Sequence, residues 1–183
     1  KNNNVVLICI LLLLNAVPIA AGMSRLSGMH VITPENARFV ASPIATALHI
    51  VGSSVFGLVG IGQFVDAFRR WSPVWHRRAG WVLVVSGLVS ALSGLWMTGF
   101  FPRVKGDSDL LDVFRMVFGV AMTTCLSVAL YAARKRDFLR HAAWMMRGYA
   151  IGMGAGTQVV LFIPWVVVVA APNALVRAML LGA

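Results

Sequence analysis

Five long apolar runs, at residues 5–23, 42–68, 81–101, 113–133 and 141–171, leave this 183-residue chain few ways to fold. About 20 apolar residues in a helix cross the roughly 30 Å of hydrocarbon in a bilayer. Inside hydrocarbon every backbone N–H and C=O must be satisfied by the protein itself, which restricts spanning structures to helices and closed barrels. Runs of this length without period-two alternation predict helices. The expected fold is therefore all-α: a polytopic transmembrane helix bundle with five spanning helices, forming one integral membrane domain over residues 1–183. Residues 173–183 are too short to span and read as the start of a truncated sixth helix.

Composition agrees. Hydrophobic residues make up 59% of the chain, charged residues 12%, and the mean hydropathy is +0.82. Soluble domains carry about a quarter charged residues. Residues 5–23, with Lys1 ahead and Ala20, Ala21 and Gly22 near the end, share features with a signal peptide but are taken as the first span. The run 141–171 would measure about 45 Å as one helix, so it either begins in the headgroup layer or bends at Pro164. Between the first two runs, Thr33, Pro34 and Glu35 form a helix start signal, expected to open a short surface helix.

The formal charge of +10 does not point to nucleic acid, because the basic residues are concentrated in loops between apolar runs. That distribution sets membrane orientation. Residues 62–80 hold Arg69, Arg70, Arg77 and Arg78, and the link after the fourth run holds Arg134, Lys135, Arg136 and Arg140. Both links are expected in the cytoplasm, which puts the N-terminus there too. Trp71, Trp75, Trp81 and Trp144 sit beside these links, where amphipathic rings anchor at the interface. Anionic lipids are the expected phosphate partners. Cys9 and Cys125 lie within apolar runs and read as small hydrophobes rather than a disulfide.

Two histidine-headed stripes are the main candidates for chemistry. Gly80, Gly87 and Gly94 follow His76 at i+4, i+11 and i+18, and Gly148 and Gly152 follow His141 at i+7 and i+11. At about 100° per residue each set lies on one face of its helix. Small residues at such spacing let membrane helices pack closely, and Gly148, Gly152 and Gly156 make a doubled GxxxG. The sharper reading is a haem b between the third and fifth helices near the cytoplasmic face. His76 and His141 would be its axial ligands to iron, Gly80, Gly87, Gly148 and Gly152 would make room for the ring, and Arg77 and Arg147 would meet the propionates.

His49, Gln63 and Asp66 are further polar residues of the second run. Ionisable groups within a span are functional candidates. His49 lies roughly 20–25 Å along the axis from Gln63 and Asp66, too far to share a ligand set with His76 and His141. Its candidate partners are His30, Arg115 or a group on a neighbouring helix. Arg115 and Asp112 read as a local helix-end pair, and Arg147 either snorkels or pairs with Asp66 or Asp137. The pairs Gly60-Gly62 and Gly152-Gly154 fall inside apolar runs and are not phosphate loops.

Gly62-Gln63-Phe64, His76-Arg77 with Gly80, Arg136-Asp137, His141, Trp144-Met145, Arg147 and Tyr149-Ala150 together resemble a family of bacterial membrane proteins, domain of unknown function 2306. The resemblance covers roughly residues 42–157. It implies a compact multi-helix membrane protein, expected in a bacterial inner membrane, and no particular reaction. The family often has a basic residue where Ala142 stands and an arginine just beyond Thr157, where this chain has Gln158 and Val159. Three functional readings follow. The first is a haem-binding redox protein. The second is a non-catalytic accessory subunit that packs against partner membrane subunits or copies of itself. The third is a small transporter, for which helices one, three and four carry few polar residues.

Overall fold

The structure, a computed structural model, describes residues 2–33, 36–65, 70–102 and 108–169, with side chains at all of these except 2–3, 155 and 159–169. The regular elements among the described residues are helices: α1 (Asn2–Ser27), a 3-10 turn (Gly28–His30), α2 (Ala37–Val40), α3 (Pro43–Gln63), α4 (Pro73–Phe100), α5 (Asp109–Arg134) and α6 (Phe138–Val169). Four helices, α1 and α3–α5, are long and apolar enough to cross a membrane. The protein is an all-α, polytopic membrane helix bundle. Asp66, Arg69 and the segment 173–183 lie outside the described residues.

Local chemistry places the ends. Thr33 Oγ1 accepts from the Asn36 N–H (3.4 Å) while Asn36 Oδ1 accepts from the Thr33 N–H (2.8 Å), a reciprocal cap that opens α2. Ser72 Oγ accepts from the Trp75 N–H (3.2 Å) with Pro73 next in line, so α4 begins eight residues before the apolar run at 81. His76, Arg77 and Gly80 are therefore helical, as the His76 stripe requires. Ser108 Oγ caps α5 and Asp137 Oδ1 caps α6 through the Arg140 N–H. Between α5 and α6, Arg136 takes a left-handed φ of 60° and the Asp137 N–H reaches back to the Ala132 carbonyl (3.0 Å). That closes a tight helical hairpin. The helix α6 continues past Pro164 to Val169.

Helices α3, α4, α5 and α6 form a ring in which each packs on the next and α3 also meets α6; α1 covers the seam between α3 and α6. On α3, His49, Phe56 and Gln63 recur every seven residues. On α4, Gly94, Gly87 and Gly80 do the same in the opposite direction. The two sets meet layer by layer. A Cβ at Gly94 would lie 3.2 Å from the His49 ring, one at Gly87 2.6 Å from Phe56, and one at Gly80 3.5 Å from the Gln63 side chain. Each glycine is a socket for one side chain of α3, the close approach that glycine allows in membrane bundles.

The central layer is the tightest. Phe56 is 1% exposed and lies between Gly87 of α4 and Gly152 of α6, with Leu126 of α5 (0% exposed) beside it. Tyr149 of α6 packs against Phe56 at 5.5 Å between centroids and donates its hydroxyl to the Gly57 carbonyl at 2.8 Å. Next to this, Asn15 ties α1 in. Its side chain lies against Gly57 and donates to the Leu11 carbonyl (2.7 Å) and toward Met153 Sδ (3.5 Å). The outward faces carry Leu13, Ile44, Val51, Val85, Leu92 and Val117, all exposed to the lipid.

Adding a methyl group at Gly87 must displace Phe56 and Leu126, both locked in the core. Gly87→Ala is expected to destabilise the protein by about 1–3 kcal/mol, the usual cost of overpacking. Gly154→Ala, where an added Cβ meets nothing within 4 Å, is expected to leave the midpoint within experimental error or raise it slightly. Thermal or denaturant unfolding in detergent checks the pair.

Candidate functional site

The residues of the two histidine-headed stripes occupy the end of the bundle where α3 joins α4 and α5 joins α6. His76 stands in the first turn of α4, half-buried, and the exposed Arg77 follows it. His141 Nδ1 donates to the Ala129 carbonyl of α5 at 2.9 Å, across the hairpin. Arg147 is exposed and lies over the Trp144 ring at 4.9 Å. Gln63 reaches toward Gly80, and its buried Nε2 has no hydrogen-bond partner among the described residues. The glycines below the histidines are filled: Gly87 and Gly152 by Phe56, Gly148 by Leu126 and Cys125. The α4 stripe thus faces α3, not the matching stripe on α6. A flat macrocycle between α4 and α6 at the central layer would have to displace Phe56 and Leu126. Among the described residues, no three His, Cys, Asp or Glu side chains gather as a metal site.

Open space lies at the opposite end. Two cavities, of ≈ 400 and ≈ 250 Å³, share a wall formed by Arg25, Phe39, His49, Ser53, Met97 and Gly152. Ligand cavities typically enclose about 300–1,000 Å³. The larger one is also lined by Arg38, Arg115, Gly94 and Gln158, and its floor is Phe56 and Met122. Five elements meet here: the end of α1, α2, the start of α3, the end of α4 and the start of α5, with α6 alongside.

His49 is the polar centre of this site. Its Nδ1 donates to the Ser90 carbonyl at 2.9 Å, with the Ser93 hydroxyl at 3.5 Å. A backbone carbonyl can only accept, so Nδ1 carries the proton and a neutral ring keeps its lone pair on Nε2. Nε2 makes no hydrogen bond to the described residues. Of the partners considered from sequence, the neighbouring-helix group is the one found; Arg115 instead bonds Asp112 at 3.2 Å, as a local pair, while lining the same cavity.

Arg25 and the serines Ser90 and Ser93 are site residues that the sequence reading passed over. A signal was present: Ser86, Ser90 and Ser93 recur at helical spacing on one face of an otherwise apolar α4, and all three are buried. Arg25 sits in the last turns of α1, where a terminal arginine reads as an interfacial anchor until α2 folds against it.

No curated protein and no solved structure matches the chain. A family model described as "Predicted membrane protein (DUF2306)" matches residues 46–183, from the first turns of α3 through α6, and the chain belongs to that family.

Proposed function

We propose that this protein is a five-span bacterial inner-membrane protein, N-terminus in the cytoplasm, that holds a lipid-like small molecule in the cavity beside His49. The observation that carries the reading is the contrast in packing. One half of the bundle is filled to the centre by Phe56, Leu126 and Tyr149, while the other holds an open, largely apolar space with arginine, histidine and serine side chains among its lining and a His49 Nε2 that makes no hydrogen bond to the described residues. Space among the described residues with Arg, His and Ser in its lining supports a place for a ligand.

Helix α6 supports the fifth span. His141 binds α5 at one end and Gln158 lines the cavity at the other, seventeen residues on, or about 26 Å at 1.5 Å per residue. Orientation is supported by Arg70, Arg77, Arg78, Arg134, Lys135, Arg136 and Arg140, exposed at the end away from the cavity. Single-cysteine variants at Arg78 and at Arg136 are expected to react with membrane-impermeant maleimide only after the cells are opened. Labelling of intact spheroplasts would reverse the orientation.

A haem b at the His76 end is the second reading, and one observation favours it. His141 donates Nδ1–H to a backbone carbonyl, the arrangement that leaves Nε2 free to ligate a metal. Phe56 and Leu126 limit the depth such a ring could reach. An absorption spectrum of the purified protein separates the readings: a Soret band abolished by His76→Ala with His141→Ala establishes the haem, and its absence leaves the cavity.

For the cavity itself, Ser53→Phe places a ring in the shared wall. Native mass spectrometry of protein extracted in mild detergent is expected to show a retained small molecule in the wild type and at least about tenfold less in the variant, the scale of roughly 1.4 kcal/mol of lost binding. Equal occupancy in both would remove the cavity as the site.

A further inference from the structure

We infer that the molecule held in this cavity is a neutral lipid alcohol whose head hydroxyl donates to His49 Nε2. The inference rests on the cavity reading above and adds the chemistry of the head.

The hydrogen bonds of the wall carry it. His49 lines both cavities, and with Nδ1–H committed to the Ser90 carbonyl its neutral ring has only the Nε2 lone pair left to offer. Ser53, one turn along the same face of α3, also lines both. Its hydroxyl donates to the Ile50 carbonyl at 3.1 Å, which leaves it lone pairs alone. Ser54 gives its proton to the same carbonyl at 2.7 Å, and Thr98 of α4 gives its own to the Gly94 carbonyl at 2.9 Å. Asn15 of α1 directs its amide N–H groups to the Leu11 carbonyl and Met153 Sδ. Polar side chains from three helices thus spend their donors within the protein.

The cations of the lining are engaged as well. Arg115 bonds Asp112, and the Arg25 and Arg38 guanidiniums lie over the Phe39 ring at 4.1 and 4.5 Å from its centroid. Gln158 carries donor and acceptor in one amide and selects neither. What the wall lacks is a proton for His49 Nε2. An acceptor beside a largely apolar space costs free energy while its hydrogen bond is unmade. A hydroxyl supplies the proton without bringing a charge into the membrane, where an ion is expensive. An ester, ether or ketone head would set lone pair against lone pair. Phe56, Met97, Met122 and Ile151 continue the wall for an acyl or isoprenoid chain.

Glycerolipid and isoprenoid alcohols share this chemistry. The test titrates delipidated, purified protein with dioleoylglycerol and with geranylgeraniol, each beside an analogue that lacks the hydroxyl: the dioleate of propylene glycol and the parent isoprenoid hydrocarbon. Bound lipid is read by native mass spectrometry. At least one alcohol is expected to bind about three- to tenfold more tightly than its own analogue, the scale of one neutral hydrogen bond. Preference for dioleoylglycerol assigns a glycerolipid and preference for geranylgeraniol an isoprenoid, through the same hydroxyl. His49→Leu keeps the bulk, removes the acceptor and is expected to bring alcohol and analogue to equal affinity. Should that variant not fold, the comparison on the wild type still decides. Alcohols and analogues that bind alike, all weakened by Ser53→Phe, would overturn the hydroxyl and leave the cavity reading intact. No lipid bound, with Ser53→Phe also without effect on what the protein retains from the membrane, would remove both.

Discussion

The bundle depends on the fit of Phe56 into glycine. In lipid there is no hydrophobic gain from bringing two apolar helices together, because the acyl chains are as apolar as the side chains they replace. What remains is dispersion at close range and the few hydrogen bonds available. Phe56 collects both around itself: Gly87 and Gly152 admit its ring from two sides, Leu126 closes a third, and the next residue, Gly57, offers the carbonyl that receives the Tyr149 hydroxyl. Asn15 against Gly57 then fixes α1 over the same seam. Four of the five long helices thus meet within about one helical turn of a single residue of α3, and α5 enters through Leu126. The antiparallel register of α3 and α4 follows, since sliding either helix by one turn would drive Phe56 into a filled position.

That register decides where a site can exist. The α4 stripe presents glycine at three depths, and α3 answers with Gln63, Phe56 and His49 in turn. The ring of Phe56 fills its socket and extends to α6. The imidazole of His49, directed to the Ser90 carbonyl, does not cross the bundle, so space remains between it, α5 and α6. The cavity is a consequence of a smaller, polar side chain at one layer of an otherwise regular repeat. Function, on this account, sits where the packing pattern is interrupted.

Much of this architecture was legible in the sequence. The apolar runs located the helices because the bilayer imposes a length on each, and the Arg115–Asp112 pair followed from spacing alone. The His76 stripe already carried the third helix back past the apolar run, and Ser72-Pro73 sets its start within a segment whose arginines also mark it as a link. The glycine stripes were also visible, but periodicity reports which residues share a face and not which neighbour that face meets. The stripe at 80–94 suggested a slot toward α6. It meets α3, whose matching heptad of His49, Phe56 and Gln63 is chemically mixed and so carries no compositional signature. Arg25, Arg38 and Arg115 are 13 and 77 residues apart in the chain, and only folding brings them to one cavity.

The same reasoning explains why His49 can be polar so far inside α3. A buried imidazole needs a hydrogen-bond acceptor, and in a helix interior every carbonyl is already used once. Each carbonyl has a second lone pair, and that of Ser90 is reachable because glycine stands at position 94, one turn along, where a side chain would lie 3.2 Å from the ring. The Ser93 hydroxyl bonds the carbonyls of Val89 (2.6 Å) and Ser90 (3.1 Å), so the local polar groups satisfy one another without drawing on Nε2. Gly94 therefore acts on the site through His49, by letting the ring approach and setting its tautomer. A methyl at Gly94 would require the imidazole to give by a few tenths of an ångström, at the nitrogen that bonds Ser90. The glycine that makes α4 pack is in this layer also the residue that positions the histidine.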